Sequence, residues 1–346
     1  MADSQLPFIT IAIPVRNEER FVGHTLMELL RQDYPSDRYE IIVADGESRD
    51  RTCEIVEEIA RTHSQVILRS NPGHLPSSGR NVGFKNGKGD IFLVIDGHCQ
   101  IPNNQLFINV VDCFKKSRAQ CLGRPQPFII PEEPNMQKAI ALARSSWLGH
   151  SSNSFIHSGN EGFVSPVSVG CAYKREIFEK IGFVDESFDA CEDVEFNYRI
   201  EKAGFKTFFS PKITVHYYSR DTLAGLWKQL IRYGKGRFNF IFKHPEAVNL
   251  DMFLPAALVI GIIFGPLFKF INNYFLWIYI AILLSYFSLI VCESIKLSRE
   301  SGFGFIAKLI ITFPVIHVGL GVGMISGVWN KISQYLFTKK CGKRFI

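Results

Sequence analysis

The sequence predicts an α/β domain with a mostly parallel sheet, followed by a group of membrane-spanning helices. Two observations support this fold class. Over the first hundred residues, short apolar runs alternate with helical stretches, which is the pattern of βαβ units. Beyond Asp251, three long segments carry almost no charge, and each approaches the roughly 20 apolar residues that a membrane-spanning helix needs.

The N-terminal elements follow one another in a regular order. Asn17 is a candidate cap of the first helix, because its side chain can accept a hydrogen bond from a helix N–H. A polar loop at Ser145–Gly162 has the length of a functional loop. The predicted strands are Phe8–Val15, Tyr39–Ala44, Val66–Arg69, Ile91–Ile95, Lys206–Phe209 and Ile213–Tyr217, and the predicted helices are 17–32, 50–62, Ser77–Asn86, Phe107–Lys116, Glu192–Ala203 and Leu223–Phe242.

We expect residues 1–245 to form a cytoplasmic domain, since the first residues show no signal-peptide pattern. Its last part, 222–245, has the pattern of an amphipathic basic helix at the membrane surface. The membrane segment is predicted over 246–330, and 331–346 is a basic tail. Four glycines make the last apolar segment flexible or closely packed, and the positive-inside rule leaves its path open. The three spans are expected near 253–270, 274–292 and 304–328.

Composition excludes two classes of protein and indicates a compartment. The eight cysteines form no CxxC pair, which argues against a zinc site or a disulfide framework and fits reduced thiols. The net charge of +6 is modest, and the basic residues cluster beside the apolar segments rather than in the stripe of a nucleic-acid-binding protein. The chain is therefore expected to bind no nucleic acid and to lie in the cytoplasmic (inner) membrane as a multi-pass protein.

The tripeptide Asp96-Gly97-His98 follows the buried strand Ile91–Ile95 directly. Parallel α/β sheets bind ligands at the carboxyl ends of their strands. A carboxylate and an imidazole there suit Mn²⁺ or Mg²⁺, and such a cation suits a diphosphate. The alternative is an ordinary strand-to-loop turn with a solvated histidine.

Two further strand ends carry candidate binding residues. The first strand ends Pro14-Val15-Arg16-Asn17-Glu18, a loop that can receive a nucleotide base or phosphate at a helix N-terminus. The second strand ends at Asp45, where an acidic residue can accept from ribose hydroxyls or a base N–H. Capped helix starts and an Asp-Gly turn are the structural alternatives. The glycine fingerprints of dehydrogenases and P-loop proteins are absent from the sequence.

Six carboxylates fall within Asp185–Glu195, and we expect them to converge without basic neighbours. The helix dipole accounts for part of this acidity. A general base that deprotonates an acceptor hydroxyl must be a carboxylate or a histidine, and Asp193, with Glu192 beside it, is the candidate. His216 is a candidate third metal ligand, with a buried structural histidine as the alternative.

Three polar side chains are candidates for contacts with a diphosphate. Arg80 can reach one with its guanidinium, or form a surface salt bridge instead. Gln229 and Arg232 share one face of a predicted helix and can hold a diphosphate or a lipid headgroup.

Together these motifs resemble the large inverting family-2 glycosyltransferases, which have the GT-A fold. The match covers roughly residues 7–240, and the variant at His98 with a C-terminal membrane segment is most similar to bacterial exopolysaccharide transferases of the succinoglycan type. The matching residues are Pro14…Asn17-Glu18, Asp45-Gly46-x-Ser48-x-Asp50-x-Thr52, Arg80-Asn81-x-Gly83, Asp96-Gly97-His98, Glu192-Asp193, Asn197-Tyr198-Arg199 and Gln229-x-x-Arg232-Tyr233.

The resemblance implies transfer of one sugar from a nucleotide-diphosphate sugar, with a UDP-sugar favoured, to a polyprenyl-linked or other lipid-linked acceptor. It implies that Asp45 contacts the nucleoside, that Asp96 and His98 bind the metal, and that Asp193 is the base. Two departures stand out: His98 replaces the usual aspartate, and Tyr233 replaces the tryptophan of processive synthases. The alternatives are a processive polysaccharide synthase and a catalytically inactive membrane scaffold.

Overall fold

The computed structural model describes residues 6–150, 159–299 and 302–341. By its internal contacts the chain divides into two units, one from the described parts of Met1–Ile129 and Asn153–Tyr218, the other from those of Ile130–Ser152 and Ser219–Ile346. The amphipathic helix predicted before the membrane segment belongs to the second unit. Residues 151–158 of the predicted polar loop and 342–346 of the predicted tail lie outside the described residues.

An eight-stranded mixed sheet with the order β3-β2-β1-β4-β8-β6-β9-β7 forms the first unit. The four strands β3, β2, β1 and β4 run parallel, whereas β8 is antiparallel to β4. Strands β5 and β10 form a separate antiparallel pair. The strands are β1 Ile9–Val15, β2 Tyr39–Asp45, β3 Val66–Ser70, β4 Ile91–Val94, β5 Cys99–Gln100, β6 Cys121–Gly123, β7 Gly162–Val164, β8 Gly170–Lys174, β9 Thr207–Phe209 and β10 His216–Tyr217.

The sheet is covered by helices, which explains why its central strands are continuous apolar runs. Every residue of β2 and β4 is buried, as a parallel strand covered on both faces requires. The predicted mostly parallel α/β fold is therefore confirmed. The helices of this unit are α1 Val22–Leu30, α2 Thr52–Thr62, α3 Pro76–Asn86, α4 Leu106–Ser117, α6 Arg175–Ile181 and α7 Glu192–Lys202.

Two local predictions were wrong. The first helix begins at Val22 and its cap position is Phe21, while Asn17 has a φ of 57° and accepts a hydrogen bond from the Arg49 N–H instead. The predicted strand Ile213–Tyr217 is reduced to His216–Tyr217, because Pro211–Ile213 turns as a 3₁₀-helix. Proline at the first position of that turn favours this geometry.

In its described residues, the second unit contains helices and no strand. Its first helix is α5, Met136–Ser145. Three of its helical segments are long and apolar enough to cross a membrane, over Leu250–Phe270, Asn273–Ser298 and Phe303–Ser333. The helices of this unit are α5 Met136–Ser145, α8 Leu223–Lys243, α9 Leu254–Phe264, α10 Asn273–Ser298 and α11 Ile306–Cys341. In the most apolar 18-residue stretch of each span, 11% and 6% of the residues are buried in the first two spans, against 39% in the third. The first two spans therefore present apolar surface outward, as a lipid environment requires.

The long helices α8 and α11 pack against each other through glycines. A Cβ at Gly234 would lie 2.8 Å from the Cα of Gly323, and a Cβ at Gly323 would meet the Ile231 carbonyl oxygen. Small residues let helix backbones approach this closely. Of the two properties predicted for the glycine-rich last segment, close packing is the one observed, and α11 continues through this region without a break.

Candidate functional site

Three adjacent parallel strands end at the same edge of the sheet and carry most of the predicted site. The register pairs Val15 of β1 with Asp45 of β2, and Ala12 of β1 with Val94 of β4. Asp45 is the last residue of β2, and Asp96 follows β4 by two positions. The carboxylates singled out from the sequence thus leave the same edge of the sheet, on the two strands that flank β1.

Asp45 combines burial with an unused acceptor. The residue is 8% exposed, and its Oδ2 accepts a hydrogen bond from the Ser48 N–H at 3.0 Å. Its Oδ1 is buried and accepts no hydrogen bond from the other described residues. An unpaired buried acceptor costs about 1–3 kcal/mol, which a ligand N–H or O–H would recover. Asp45 is therefore fitted to accept from a bound donor group.

The loops after β1 and β2 are joined by a ladder of hydrogen bonds. Three consecutive N–H groups of the first loop, those of Asn17, Glu18 and Glu19, donate to side-chain oxygens of the second. The acceptors are Ser48 Oγ at 2.8 Å, Thr52 Oγ1 at 2.8 Å and Asp50 Oδ2 at 3.2 Å. The hydroxyl and carboxylate side chains of the motif that begins at Asp45 therefore fix the conformation of the neighbouring loop.

Pro14 and Val15, predicted to contact the nucleotide, have structural contacts. Val15 is 4% exposed, and its carbonyl accepts from the Gly46 N–H at 2.9 Å. Pro14 lies under α3, where a Cβ at Gly79 would come within 2.8 Å of the Pro14 Cβ. Their assignment as nucleotide-binding residues remains a prediction.

The turn at Asp96-Gly97-His98 is held from the side of α1. His98 Nδ1 lies 2.9 Å from Glu18 Oε1. The buried Thr25 hydroxyl donates to the Cys99 carbonyl at 2.8 Å and accepts from the Cys99 N–H at 3.2 Å. Glu18, which was predicted to bind the nucleotide sugar, thus directs its carboxylate to the histidine.

A buried cluster of charges joins Asp96 to the start of α7. Arg80 Nη2 lies 3.2 Å from Glu192 Oε1, and both side chains are almost fully buried. Burial lowers the pKa of Arg80, but the negative charges of Glu192, Asp193 and Asp96 outweigh it, so the pKa is raised well above its ordinary value. One guanidinium thus faces three carboxylates. The pair is a buried one, rather than the surface salt bridge that was the structural alternative for Arg80.

Glu192 and Asp193 differ in environment although they are neighbours in sequence. Burial raises the pKa of Glu192 from its ordinary 4.5 to about 7, Arg80 opposes the rise, and Asp193 and Asp96 add to it. Asp193 is half-buried, so a reacting group can reach it more easily. Cys191 precedes them with a φ of 62°, a left-handed conformation that starts α7 at this point. Of the two carboxylates, Asp193 is the better placed general base.

The expectation that the acidic segment lacks basic neighbours was wrong. Glu186 lies 3.4 Å from Lys85, Glu192 is paired with Arg80, and Glu195 lies 3.0 Å from Arg199. The three cations come from α3 and α7, and two of them are remote in sequence from their partners. Only the folded sheet brings α3 beside α7, so the pairing could not be recognised from local sequence.

His216 lies on β10 and pairs with Gln100 of β5. Gln100 is two positions after His98 in the chain. Burial lowers the pKa of His216 and so favours the neutral imidazole, the form that ligates metals. Among the described residues, no group of three or more His, Cys, Asp or Glu side chains is arranged to hold a metal ion. The structure therefore does not assemble Asp96, His98 and His216 as one ligand set, and the assignment of His216 remains a prediction.

Asp96 and His98 nevertheless fit a divalent cation that shares its coordination with a nucleotide diphosphate. Mg²⁺ and Mn²⁺ accept one or two protein ligands when phosphate oxygens supply the others. The excess of carboxylates over guanidinium around Asp96 leaves the site with negative charge. A buried acceptor without a partner, Asp45 Oδ1, lies at the end of the same group of strands.

Gln229 and Arg232 belong to the second unit, on α8. Gln229 Nε2 donates to the Tyr233 hydroxyl at 3.1 Å, and Gln229 Oε1 accepts from Arg144 at 3.2 Å. The Arg144 guanidinium also lies 5.9 Å from the centre of the Tyr233 ring. The predicted contact of Gln229 and Arg232 with a diphosphate stays a prediction.

Sequence reasoning missed Arg124, which is 1% exposed. Its Nη2 donates to the Val94 carbonyl at 2.9 Å and to the Tyr217 hydroxyl at 3.0 Å, while Nε and Nη1 are buried and donate no hydrogen bond to the other described residues. An arginine directly after the apolar run Cys121–Gly123 was the available signal. It ties the end of β4 to β10, immediately before the turn at Asp96.

Comparison with known proteins shows the family of this chain. The family model described as glycosyltransferase like family 2 matches residues 7–236. "Dolichyl N-acetyl-alpha-D-glucosaminyl phosphate 3-beta-D-2,3-diacetamido-2,3-dideoxy-beta-D-glucuronosyltransferase" from Methanococcus voltae is 30% identical over 251 residues, 69% of this chain and 78% of that protein. Succinoglycan biosynthesis protein ExoA from Rhizobium meliloti (strain 1021) is 31% identical over 264 residues, 76% of this chain and 78% of that protein.

A solved structure shows the same fold. The mannosyltransferase PcManGT from Pyrobaculum calidifontis, in complex with GDP-Man and Mn²⁺, superposes with a TM-score of 0.59 at 17% identity, over 95% of this chain and 89% of that one. The GT-A fold expected from the sequence is thus confirmed. Since the family model spans the sheet and every strand-end carboxylate described above, the chain belongs to the family-2 glycosyltransferases.

Proposed function

We propose that this protein transfers a single sugar, with inversion, from a nucleotide-diphosphate sugar to a lipid-linked acceptor in the synthesis of a cell-surface polysaccharide or glycoconjugate. One observation carries the proposal: Asp45 and Asp96 leave the carboxyl edge of the sheet on strands that flank β1, and the charge of Arg80 acts on both Asp96 and Asp193. A donor with a nucleoside at one end and a diphosphate at the other matches this sequence of groups.

Each side chain has a separate task in this mechanism. Asp45 Oδ1 accepts a hydrogen bond from the nucleoside, and so meets the need of a buried, unpaired acceptor. Asp193 takes the proton of the acceptor hydroxyl as that oxygen attacks the anomeric carbon from the face opposite the diphosphate. Glu192 stays next to Arg80 and helps to fix its guanidinium.

Asp96 and His98 would hold a divalent metal, Mn²⁺ or Mg²⁺, at the donor diphosphate. When bound, this cation supplies positive charge that stabilises the departing nucleoside diphosphate. The Mn²⁺ and GDP-Man in the mannosyltransferase neighbour support this assignment. A UDP-sugar is the donor we favour.

A lipid-linked acceptor and a place in the cytoplasmic membrane are supported by the second unit. Three of its helices are long and apolar enough to span a membrane. The basic residues of α8 and of the C-terminal segment favour the cytoplasmic face for the domain with the sheet. The dolichyl-linked substrate in the name of the Methanococcus voltae relative supports a lipid-linked acceptor.

The proposal is tested by screening nucleotide sugars against the purified full-length protein with Mn²⁺ or Mg²⁺ and an isoprenoid-phosphate-linked acceptor. We expect Asp193→Asn to abolish transfer while nucleotide binding persists, and Asp96→Ala to abolish both metal binding and transfer. Asp112→Asn is the matched control, because Asp112 is an exposed carboxylate on α4. Retained turnover in Asp193→Asn would show that Asp193 is not the general base. Activity in excess chelator would show that the reaction needs no divalent metal.

The number of sugars added to one acceptor separates single transfer from processive synthesis. Mass spectrometry of the product should show one added sugar at every ratio of donor to acceptor. A ladder of products on a single acceptor would instead identify a processive synthase.

A further inference from the structure

We propose that Glu18 is a positioning residue for His98. Its carboxylate accepts the Nδ1–H of the imidazole and so selects the tautomer whose Nε2 carries the lone pair that a divalent cation requires. This inference rests on the proposed function, in which Asp96 and His98 hold the cation at the donor diphosphate.

The contact between the two side chains is short and partly shielded from solvent. Nδ1 of His98 lies 2.9 Å from Oε1 of Glu18, and the side chains are 23% and 18% exposed. An ionised carboxylate can only accept a hydrogen bond, so the proton of a neutral imidazole beside it is on Nδ1. Carboxylates that orient metal-binding histidines in this way typically alter metal affinity 10–100-fold when mutated.

The loop geometry makes the approach of Glu18 possible. Asn17 has a φ of 57°, and the Glu18 N–H donates to Thr52 Oγ1 at 2.8 Å. These features bring the stem of Glu18 against the turn that carries His98. A Cβ at Gly97 would lie 2.8 Å from Val15 Cγ1 and 3.2 Å from Glu18 Cγ, so glycine is required for this approach.

The backbone of the same turn is held independently. Thr25 binds both the N–H and the carbonyl of Cys99, and Glu28 Oε2 accepts from the Ile101 N–H at 2.6 Å. These three hydrogen bonds fix the chain after His98 without touching its ring. The Tyr217 ring packs edge-on against the imidazole with 6.3 Å between ring centres, and the Glu18 carboxylate at Nδ1 adds the contact that fixes the position of its proton.

An aspartate in place of His98 would not need such a partner. A carboxylate has two equivalent oxygens and no tautomers, so either oxygen can face a cation. A second carboxylate beside it would only add repulsion. The presence of a histidine at the last position of this motif thus explains why a glutamate side chain lies against it.

The inference is tested by Mn²⁺ binding to the full-length protein in detergent with UDP or GDP present, followed by the electron paramagnetic resonance signal of free Mn²⁺. Glu18→Gln should raise the Kd for Mn²⁺ about tenfold. Glu19→Gln removes the neighbouring exposed charge and should change the Kd less than twofold. The thermal unfolding midpoint of each variant establishes that it is folded.

A double-mutant cycle separates positioning from a general structural role. In a His98→Asp background, Glu18→Gln should leave Mn²⁺ affinity unchanged or increase it, since a repelling carboxylate is removed. A tenfold loss that persists in this background would overturn the inference, as would an unchanged Kd in Glu18→Gln itself. If Asp96→Ala also leaves Mn²⁺ binding intact, the proposed metal site fails; if Asp96→Ala abolishes binding and Glu18→Gln does nothing, only the role of Glu18 fails.

Discussion

Glu192→Gln should stabilise the protein at alkaline pH, although it removes one partner of a buried ion pair. Breaking such a pair ordinarily costs about 3–5 kcal/mol, because an uncompensated charge is left buried. Here the remaining Arg80 still faces Asp193 and Asp96, and the charged form of Glu192 is itself unfavourable. Glutamine has the shape of protonated glutamate and avoids that cost.

The size of the expected gain in the free energy of unfolding follows from the pKa of Glu192. Burial is the main cause that raises this pKa from 4.5 to about 7. Arg80 opposes the rise, and repulsion from Asp193 and Asp96 adds to it. Between these values the unfolded chain binds fewer protons than the folded one, so the free energy of unfolding falls as pH rises. The full cost is present above pH 7 and amounts to about 3 kcal/mol, at about 1.4 kcal/mol for each tenfold change in acidity.

The assay must report on the unit that contains Glu192. All four tryptophans fall within the ranges of the second unit, so intrinsic fluorescence is unsuitable. The first unit instead contains the buried thiols of Cys99, Cys113 and Cys121, which react with a fluorogenic maleimide when they become exposed. We expect Glu192→Gln to melt roughly 6–12 °C above the parent at pH 8 and at the same temperature at pH 4, below both pKa values.

Glu195→Gln provides the contrasting case. Glu195 is 0% exposed and its partner Arg199 lies on the same helix, so this variant should melt below the parent at both pH values. If Glu192→Gln also melted below the parent at pH 8, or if its gain did not change with pH, the reasoning about Glu192 would be refuted.

Three further substitutions test other parts of the structure. Asp45→Asn places an amide donor where the ligand is expected to donate, so the Kd for UDP or GDP in calorimetry should rise ten- to hundredfold; an unchanged Kd would contradict the role of Asp45 Oδ1. Thr52→Val leaves the Glu18 N–H without its acceptor and should cost about 1–2 kcal/mol in thermal unfolding, whereas Thr52→Ser should restore stability. Gly234→Ala should lower the melting temperature of the second unit by an amount equivalent to about 1–3 kcal/mol, while Gly261→Ala, where a Cβ meets nothing within 4 Å, should not.

The parts of the site that the sequence predicts are those that depend on one strand at a time. Asp45 and Asp96 were recognisable because each follows a buried apolar run, and parallel strands present such residues at one edge. The candidate membrane helices were also recognisable from sequence, because their length and lack of charge are local properties.

What local sequence could not predict are contacts between elements far apart in the chain. Asn17 has the composition of a helix cap, but its side chain accepts from Arg49 in the next loop. Glu18 is separated from His98 by 80 positions, and Arg80 from Glu192 by still more. Each of these pairs joins groups whose meeting depends on strand order, which no periodicity encodes.

The contact of α8 with α11 at Gly234 and Gly323 makes the two helices one mechanical element. With no side chains between the backbones, neither helix can slide or rotate about its axis without moving the other. Gln229, Tyr233 and Arg237 repeat at every fourth position of α8, so this row of polar side chains is carried by a helix that packs closely against α11. If α11 spans a bilayer as we propose, a change in bilayer thickness that tilts α11 would also move this row, and its position would then depend on lipid composition.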